Sequence, residues 1–272
     1  MATDVSLVTD GRVARVKFET DNGVHVFSSE TRQRLLTVLG EVSQLTNCSV
    51  VVFESQGRTF LAGADIQEFL GLDAETGERL AREGQRLMDR VEALAPVTIA
   101  AIHGPCAGGG TELALACDMR IAAESARIGL PEVSLGILPG WGGTVRSVRL
   151  FGGAVARRMI LTGELLTGRV AEQLGIVDFC VTDDQFRDEI DKRIKLVDSR
   201  GPNACQSAKR LIAEFESVDM DGQLLKEARA FGRCFATNEP QEGAAAFLEK
   251  RPANWDSANG ISSGGNASVD GT

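Results

Sequence analysis

The sequence predicts an α/β protein, with a core in which strands alternate with helices and a mostly helical region after it. Short apolar runs rich in β-branched residues, such as SVVVFES at 49–55 and PVTIAAIHG at 96–104, are typical of buried strands. Segments with apolar residues at helical spacing, such as GERLAREGQRLMDRVEAL at 77–94, lie between them. The two patterns alternate as far as about residue 185, and such alternation favours an α/β core.

The individual elements follow from local patterns taken in chain order. Alternation on both sides of Asp10-Gly11 predicts an antiparallel hairpin at the N-terminus. Three consecutive glycines at 108–110 are predicted to follow a buried strand directly and to lead into a helix. The further predictions are helices over 30–45, 77–94, 110–118 and 143–152, strands over 49–55, 96–104, 119–125 and 126–130, a glycine-bearing loop into a helix over 57–70, a helix that gives way to a strand over 171–181, and mostly helix from Phe186.

The same patterns divide the chain into three parts. An α/β core that holds the active site is predicted over residues 1–195, and a helical region over 196–256. Apolar residues at helical spacing within that region, among them Leu211, Leu224 and Phe231, predict contacts between subunits. The last stretch, 257–272, is rich in Ser, Gly and Asn and is predicted to be disordered.

Composition excludes several classes of function. The 272 residues are 43% hydrophobic, enough for a substantial core, and carry a formal net charge of −9. This negative charge argues against broad nucleic-acid binding, which needs a positive surface, although it permits a local basic pocket for an anionic ligand. The longest apolar runs fall short of the ~18 residues that a membrane span needs, so no membrane partner is expected.

Cysteine and histidine usage predicts a reduced, metal-free protein. The six cysteines form no CxxC pair, and no apolar signal segment stands at the N-terminus, so we expect reduced, buried cysteines and a cytoplasmic location. His25 and His103 lie far apart in the sequence, and no HExxH motif is present, so no metal site is expected.

Three common catalytic motifs are absent. The sequence has no GxxxxGK[ST] and no GxSxG, and the glycine clusters fail GxGxxG because Leu113 and Val145 stand where a third glycine is needed. The sequence therefore gives no support for a P-loop nucleotide site, a dinucleotide site or a nucleophilic serine on a sharp turn.

The remaining candidates are two glycine-bearing turns and two glutamates. Glycines between a strand and a helix expose backbone N–H groups that can stabilise a carbonyl oxygen as it gains negative charge. LAGADI, at 61–66, is a second turn of this kind. Glu112 and Glu132 both stand among apolar residues, and in one shared pocket they would serve as an acid and a base. The alternative is that Glu112 only complements a helix N-terminus and that Glu132 is exposed.

Taken together, FLAGADI, GPCAGGGTELALACD and GLPEVSLGILPGWGGT resemble the crotonase superfamily, specifically enoyl-CoA hydratases. The likeness covers about residues 4 to 255. The sequence also resembles the hydratase part of multifunctional fatty-acid oxidation proteins. The resemblance implies a spiral of ββα units followed by C-terminal helices that build a homotrimer or a dimer of trimers. It also implies an acyl-CoA substrate and no metal or other cofactor, since coenzyme A is part of the substrate.

Site roles carry over from the resemblance residue by residue. The N–H groups of Ala64 and Gly109 match the oxyanion hole, Glu112 matches the base that activates water, and Glu132 matches the acid that protonates Cα. A side chain on Gly109 is expected to crowd the thioester. The positions that match CoA-binding residues are Gly23, Val24, Ala62, Asp65, Ile66, Lys250 and Arg251.

Departures from the family pattern leave alternatives open. His25 and His103 replace common asparagines and are expected to be structural hydrogen-bonding residues, and Lys250 and Arg251 could instead be a solvated charge pair. An enoyl-CoA isomerase or another crotonase-type acyl-CoA reaction is one alternative function, and a non-catalytic CoA-binding assembly subunit is another. The presence of both glutamates favours hydration.

Overall fold

A computed structural model describes residues 3–214, 231 and 238–255, and the chain divides into two compact units, Met1–Ile194 and Lys195–Thr272. Among the predictions above, those for Leu224 and the tail at 257–272 lie outside the described residues.

The strands and helices follow the predicted alternation, which confirms the α/β class. The strands are β1 (Asp4–Asp10), β2 (Val13–Glu19), β3 (Val50–Ser55), β4 (Val97–Ile102), β5 (Pro105–Ala107), β6 (Met119–Ala123), β7 (Arg127–Gly129), β8 (Leu166–Thr167) and β9 (Phe179–Val181). The helices are α1 (Ser29–Ser43), α2 (Ala74–Glu92), α3 (Gly109–Ala116), α4 (Gly143–Thr162), α5 (Gly168–Gln173), α6 (Phe186–Asp198), α7 (Pro202–Glu214) and α8 (Glu239–Glu249).

The larger sheet has six strands in the order β1-β2-β3-β4-β6-β9. Its first pair is the predicted hairpin, in which Asp10 faces Val13 across a two-residue loop and Gly11 takes a φ of +56°. The other pairs are parallel. Parallel strands are buried on both faces, which explains why β3 and β4 have almost uninterrupted apolar sequences.

A smaller sheet, in the order β5-β7-β8, makes the chain wind as a spiral. After β4 in the large sheet, the chain adds β5 to the small sheet and then forms α3. The next turn repeats this path with β6, β7 and α4. Each turn is thus a ββα unit, as the resemblance implies, and α3 contacts both α2 and α4.

Three elements differ from the sequence prediction. The glycine triplet does not follow β4 directly, because β5 lies between them and pairs with β7. The loop over 57–70 ends in a short 3-10 helix, Ile66–Phe69, and α2 begins only after Asp73, whose side chain caps it. Helix α4 continues to Thr162, ten residues beyond the predicted end, across a break at Gly152.

Candidate active site

A cavity of about 730 Å3 lies in the first unit, next to the glycine triplet. The segment from Phe69 to Met88 supplies part of its wall, although Met88 itself is fully buried in the core. A second part of the wall follows Glu132. Most of the lining is apolar and includes Ile66, Phe69, Leu72, Leu80, Leu135 and Leu138.

Two glycine-bearing loops meet at this cavity. In the first loop, Phe27 N–H donates to the Gly63 carbonyl at 2.8 Å, and Asp65 N–H donates to the Phe27 carbonyl at 3.3 Å. Phe27 and Ala64 thereby form a parallel bridge. The second loop carries Gly108, where an added Cβ atom would lie 3.7 Å from the Cα of Gly63. The structure therefore brings together the two turns that the sequence pointed to.

The predicted oxyanion donors, the N–H groups of Ala64 and Gly109, lie on these loops, and both residues line the cavity. The hydrogen bonds of the bridge come from the neighbours of Ala64, so the N–H of Ala64 faces away from Phe27. Gly109 is the first residue of α3, where an N–H has no partner within the helix. Within the described residues neither N–H donates a hydrogen bond, and both are available to a bound oxygen.

Each glycine of the triplet is required for a different reason. Gly108 has a φ of +54°, a left-handed conformation that side chains disfavour. A Cβ atom on Gly109 would lie 2.6 Å from Cζ3 of Trp141, and one on Gly110 would lie 2.2 Å from the carbonyl oxygen of Leu61. A side chain on Gly109 would therefore meet the Trp141 ring, and the expectation that it would also crowd the thioester stays a prediction.

Glu112 is held in the first turn of α3, whose eight residues are all buried, and its own exposed fraction is 2%. Its Oε1 accepts hydrogen bonds from the backbone N–H of Trp141 at 2.7 Å and of Gly143 at 2.8 Å. A Cβ atom on Gly143 would lie 2.9 Å from that oxygen. Glycine at 143 therefore allows the backbone to approach the carboxylate closely.

Glu132 is the second carboxyl group of the cavity and begins a 3-10 helix, Glu132–Leu135. It is buried, with an exposed fraction of 9%, which contradicts the alternative that it is a solvated surface residue. Its Oε1 would lie 3.3 Å from a Cβ atom on Gly108. Its Oε2 is buried and has no hydrogen-bond partner within the described residues, so a ligand or water is its natural partner.

Burial disfavours the charged form of both carboxyl groups. It raises the pKa of Glu112 to about 8 and the pKa of Glu132 to about 7. The charge of Glu132 adds to the upward shift of the Glu112 pKa, whereas the N–H groups of Gly143 and Trp141 oppose that shift. Near neutral pH the pair therefore retains a proton, as one acid and one base would require.

The other residues predicted to bind CoA are only partly brought together. Ala62 and Ile66 line the cavity, and Asp65 lies between them in sequence, where its side chain accepts a hydrogen bond from the N–H of Gln67.

Gly23 and Val24 are not among the residues that line the cavity. The Gly23 carbonyl accepts hydrogen bonds from the N–H groups of Arg58 and Thr59, and the Val24 N–H donates to Asn22 Oδ1. The Gly23 carbonyl and the Val24 N–H thus already form hydrogen bonds within the chain.

Lys250 and Arg251 belong to the second unit and follow α8. Arg251 pairs with Glu242 at 2.7 Å and with Glu249 at 2.6 Å, which raises the pKa of its guanidinium. Lys250 has a left-handed backbone with a φ of +56°. Their contact with CoA stays a prediction.

The two histidines both hydrogen-bond to backbone carbonyls. The ring Nε2 of His25 lies 2.5 Å from the carbonyl oxygen of Gln56, and that of His103 lies 3.0 Å from the carbonyl oxygen of Gly57. Burial lowers the pKa of His25, which favours its neutral form. These contacts agree with the structural role expected for both.

The segment 139–146, for which no role was predicted from the sequence, shapes the site. Trp141 lines the cavity, its backbone and that of Gly143 bind Glu112, and Arg146 donates to the Trp141 carbonyl at 3.1 Å. The signal that could have pointed to this segment is a tryptophan between glycines in PGWGG.

Neither a membrane-spanning helix nor a metal-binding cluster occurs within the described residues. No helix in this part of the chain combines the length and hydropathy needed to cross a membrane. Within the same residues, no three His, Cys, Asp or Glu side chains form a group that could hold a metal ion.

Comparison with known proteins supports the resemblance seen in the motifs. A family model described as enoyl-CoA hydratase/isomerase matches residues 9–258. A probable enoyl-CoA hydratase of Bacillus subtilis is 37% identical over 252 residues, which cover 91% of this chain and 96% of that protein. A crotonyl-CoA hydratase of Syntrophomonas wolfei is 39% identical over 206 residues, which cover 76% and 79% of the two chains.

A crystal structure of enoyl-CoA hydratase from Bacillus anthracis superposes with a TM-score of 0.88 at 34% identity. The match covers 93% of this chain and 98% of that one, so the whole fold is shared. With the motifs, the paired glutamates and the matched length all in agreement, the chain belongs to the enoyl-CoA hydratase/isomerase family.

Proposed function

We propose that this protein is an enoyl-CoA hydratase, which adds water across the double bond of a 2-enoyl-CoA thioester to give a 3-hydroxyacyl-CoA. One observation carries the proposal: two buried glutamates line the same cavity as two backbone N–H groups that donate to nothing in the described protein. Relatives named enoyl-CoA hydratase and crotonyl-CoA hydratase support the same reaction.

Polarisation of the thioester is the first contribution of the site. The carbonyl oxygen accepts hydrogen bonds from the N–H groups of Ala64 and Gly109, which makes Cβ electrophilic and stabilises the enolate that forms. Fixed donors of this kind contribute roughly 3 kcal/mol each in the transition state. The position of Gly109 at the start of α3 adds the positive end of the helix dipole.

Water addition then uses the two carboxyl groups. Glu112, as carboxylate, takes a proton from water while the water oxygen forms its bond to Cβ. The π electrons of the double bond move into the enolate, and Glu132, initially protonated, delivers a proton to Cα as the carbonyl re-forms. Glu112 ends protonated and Glu132 ends charged, and proton exchange with solvent restores the starting state.

This assignment of roles rests on hydrogen bonds. The pKa values alone would place the proton on Glu112, at about 8 against about 7 for Glu132. We assign the charge to Glu112 because part of the upward shift of its pKa comes from the charge of Glu132 and disappears once Glu132 is protonated. The two backbone N–H groups that donate to Glu112 Oε1 then favour its carboxylate, whereas Glu132 Oε2 has no partner within the described residues.

Coenzyme A, in this proposal, enters as part of the substrate, and no further cofactor takes part. Ala62 and Ile66 contact it at the cavity, and Gly23, Val24, Asp65, Lys250 and Arg251 complete its predicted contacts. The apolar wall of the cavity supports an apolar acyl chain.

Isomerisation of a 3-enoyl-CoA is the second candidate, since the family description includes isomerases. That reaction moves one proton and needs mainly one carboxyl group, so the burial of both Glu112 and Glu132 in one cavity favours hydration.

The proposed assembly is a homotrimer or a dimer of trimers, built partly by the helical region. Ile212 has an exposed fraction of 73% and Phe231 one of 67% in the single chain. Exposed apolar side chains of this size support burial against another subunit.

The test is the loss of the enoyl-thioester absorbance of crotonyl-CoA with wild-type protein, Glu112→Gln and Glu132→Gln. Removal of either acid–base group should lower kcat by about 10²- to 10⁴-fold while the CoA thioester still binds. Near-wild-type turnover in either variant would remove that residue from the mechanism. A wild-type protein that isomerises 3-enoyl-CoA but does not hydrate crotonyl-CoA would favour the second candidate.

A further inference from the structure

The indole of Trp141 occupies a slot between two helices, which is formed by glycines on both sides. A Cβ atom on Gly84 of α2 would lie 2.1 Å from the ring atoms Cγ and Cδ1. A Cβ atom on Gly109 of α3 would lie 2.6 Å from Cζ3. Real Cβ atoms essentially never come within 3.0 Å of another group, so the ring fits only because both positions are glycine.

Aromatic and cationic neighbours hold the ring in one orientation. The Phe27 ring packs edge-on against it, with 5.6 Å between centroids at an interplanar angle of 70°. The Arg32 guanidinium carbon lies 5.8 Å from its centroid. Trp141 has an exposed fraction of only 5%, so a rotation of the indole would require these neighbours to move.

The orientation of the ring is coupled to the backbone that binds Glu112. The Trp141 N–H donates to Glu112 Oε1 at 2.7 Å, and its carbonyl accepts from Arg146 Nη1 at 3.1 Å. Just before it, the Gly140 carbonyl accepts a hydrogen bond from Gln85 of α2 at 2.9 Å. The segment that carries the ring is thus fixed at three successive points.

We propose that Trp141 is a positioning residue, whose indole sets both the Glu112 carboxylate and the Gly109 N–H for the reaction. It acts on Glu112 through its own backbone N–H and on Gly109 through ring contact with the start of α3. The role rests on the proposed hydratase function. In this role one side chain, the Trp141 indole, sets the distance between the Glu112 carboxylate and the Gly109 N–H.

Gly84→Ala tests the proposal from outside the catalytic groups. The added methyl group conflicts with Cγ and Cδ1, which cannot swing aside as the end of a flexible chain could, so Trp141 must shift. A displacement of this size should lower kcat for crotonyl-CoA by about 10- to 100-fold, with KM changed by less than about threefold. Gly40→Ala on α1, where an added Cβ meets nothing within 4 Å, is the matched control and should leave kcat unchanged.

Trp141→Phe completes a double-mutant cycle. The smaller ring should lower kcat by itself, and it should tolerate the methyl group at position 84. The double variant should therefore have a higher kcat than the product of the two single effects predicts. Thermal unfolding of each variant separates loss of folded protein from loss of turnover per folded site.

Two results would overturn the proposal. If both single variants melt earlier but keep wild-type kcat per folded site, the slot only supports packing. If the effects on kcat multiply without coupling, the ring does not transmit the change at Gly84. If Gly84→Ala does not fold, Trp141→Phe alone decides, because it leaves both glycines in place. A wild-type protein without hydratase activity would instead reject the proposed function and this role with it.

Discussion

At the scale of single residues, the glycine triplet combines three separate constraints. Gly108 supplies a left-handed backbone, Gly109 leaves space for Trp141, and Gly110 lets α3 approach the carbonyl of Leu61. The constraint at Gly110 is the most rigid, because a backbone carbonyl within a packed core cannot move as a side chain can. The three positions should therefore respond differently to substitution.

Gly109→Val should lower both the melting temperature and kcat, because its side chain meets the Trp141 ring. Acyl-CoA affinity should fall less than kcat, since the three protein atoms nearest to that Cβ all belong to the Trp141 ring. Gly110→Ala, by contrast, should mainly destabilise the fold, with activity per folded site retained. Thermal melts together with kcat and KM on active-site-normalised protein check both. An affinity loss for Gly109→Val equal to its loss of turnover would instead support direct crowding of the thioester at position 109.

Glu132 should make stability depend on pH. Because its pKa is raised to about 7 from the ordinary 4.5, the folded protein binds its proton more tightly than the unfolded chain does. The wild type should therefore lose stability as pH rises from about 4.5 to about 7, and Glu132→Gln should lack that loss. Across this pH window, the difference in the free energy of unfolding between the wild type and Glu132→Gln should change by at most about 3 kcal/mol.

Urea unfolding of both proteins at about pH 5 and about pH 8 measures this difference. If the difference in free energy of unfolding between the wild type and Glu132→Gln does not change with pH, Glu132 titrates normally and its burial does not disfavour the charge.

At the scale of secondary-structure elements, Arg146 joins α4 to α2 beside the site. It is buried, with an exposed fraction of 8%, and pairs with Asp89 at 2.6 Å and Glu92 at 2.9 Å. A further hydrogen bond of Arg146, to the Trp141 carbonyl, connects these ion pairs to the segment that binds Glu112. The N-terminus of α4 is therefore held in place by charge as well as by packing.

Arg146→Met should lower the free energy of unfolding by about 1.5–3 kcal/mol, since it removes charged hydrogen bonds and leaves the Trp141 carbonyl without this donor. Arg82→Met is the matched control on α2. Its ion pair with Glu78 has both side chains about two-thirds exposed, at 66% and 64%, so its loss should cost under about 0.5 kcal/mol. Equal losses in the two variants, measured by urea unfolding, would contradict a structural role for the buried arginine.

At the scale of the whole molecule, the spiral positions the site by chain winding. Each ββα turn places one strand in each sheet and one helix beside them, so that α3 lies between α2 and α4. The loops that precede and follow these helices then open on one cavity. The assembly state is a separate property, since in the proposed trimer it depends on surfaces that the helical region would present to other copies.

The proposed trimer predicts a sedimentation mass of three or six chains at micromolar concentration. Ile212→Glu should shift the protein towards smaller species, because it places a charge where an apolar side chain is exposed in the single chain. Glu214→Gln, in the last turn of the same helix, is a mild control that should leave the mass unchanged. A wild-type protein that sediments as a monomer would remove the proposed assembly.

Local sequence patterns were enough to predict the α/β class, most element positions and the candidate catalytic groups. Hairpin alternation, β-branched runs and helical spacing are properties of neighbouring residues, so β1–β4 and α1–α3 could be predicted close to their observed places. Short strands such as β5 and β8 could not, because only pairing with β7 defines them. Glu112 and Glu132 were identified as a pair from their motifs and from the resemblance these carry.

The reasons why particular residues stand where they do were decided only by the tertiary structure. Gly84 and Gly109 are 25 positions apart in sequence, and nothing local indicates that the Trp141 ring separates them. The same holds for Glu112, whose charge is stabilised by N–H groups of Trp141 and Gly143 from the next turn of the spiral. The sequence by itself determined which groups can do the chemistry. Their distances and environments depend on contacts between segments that only the fold brings together.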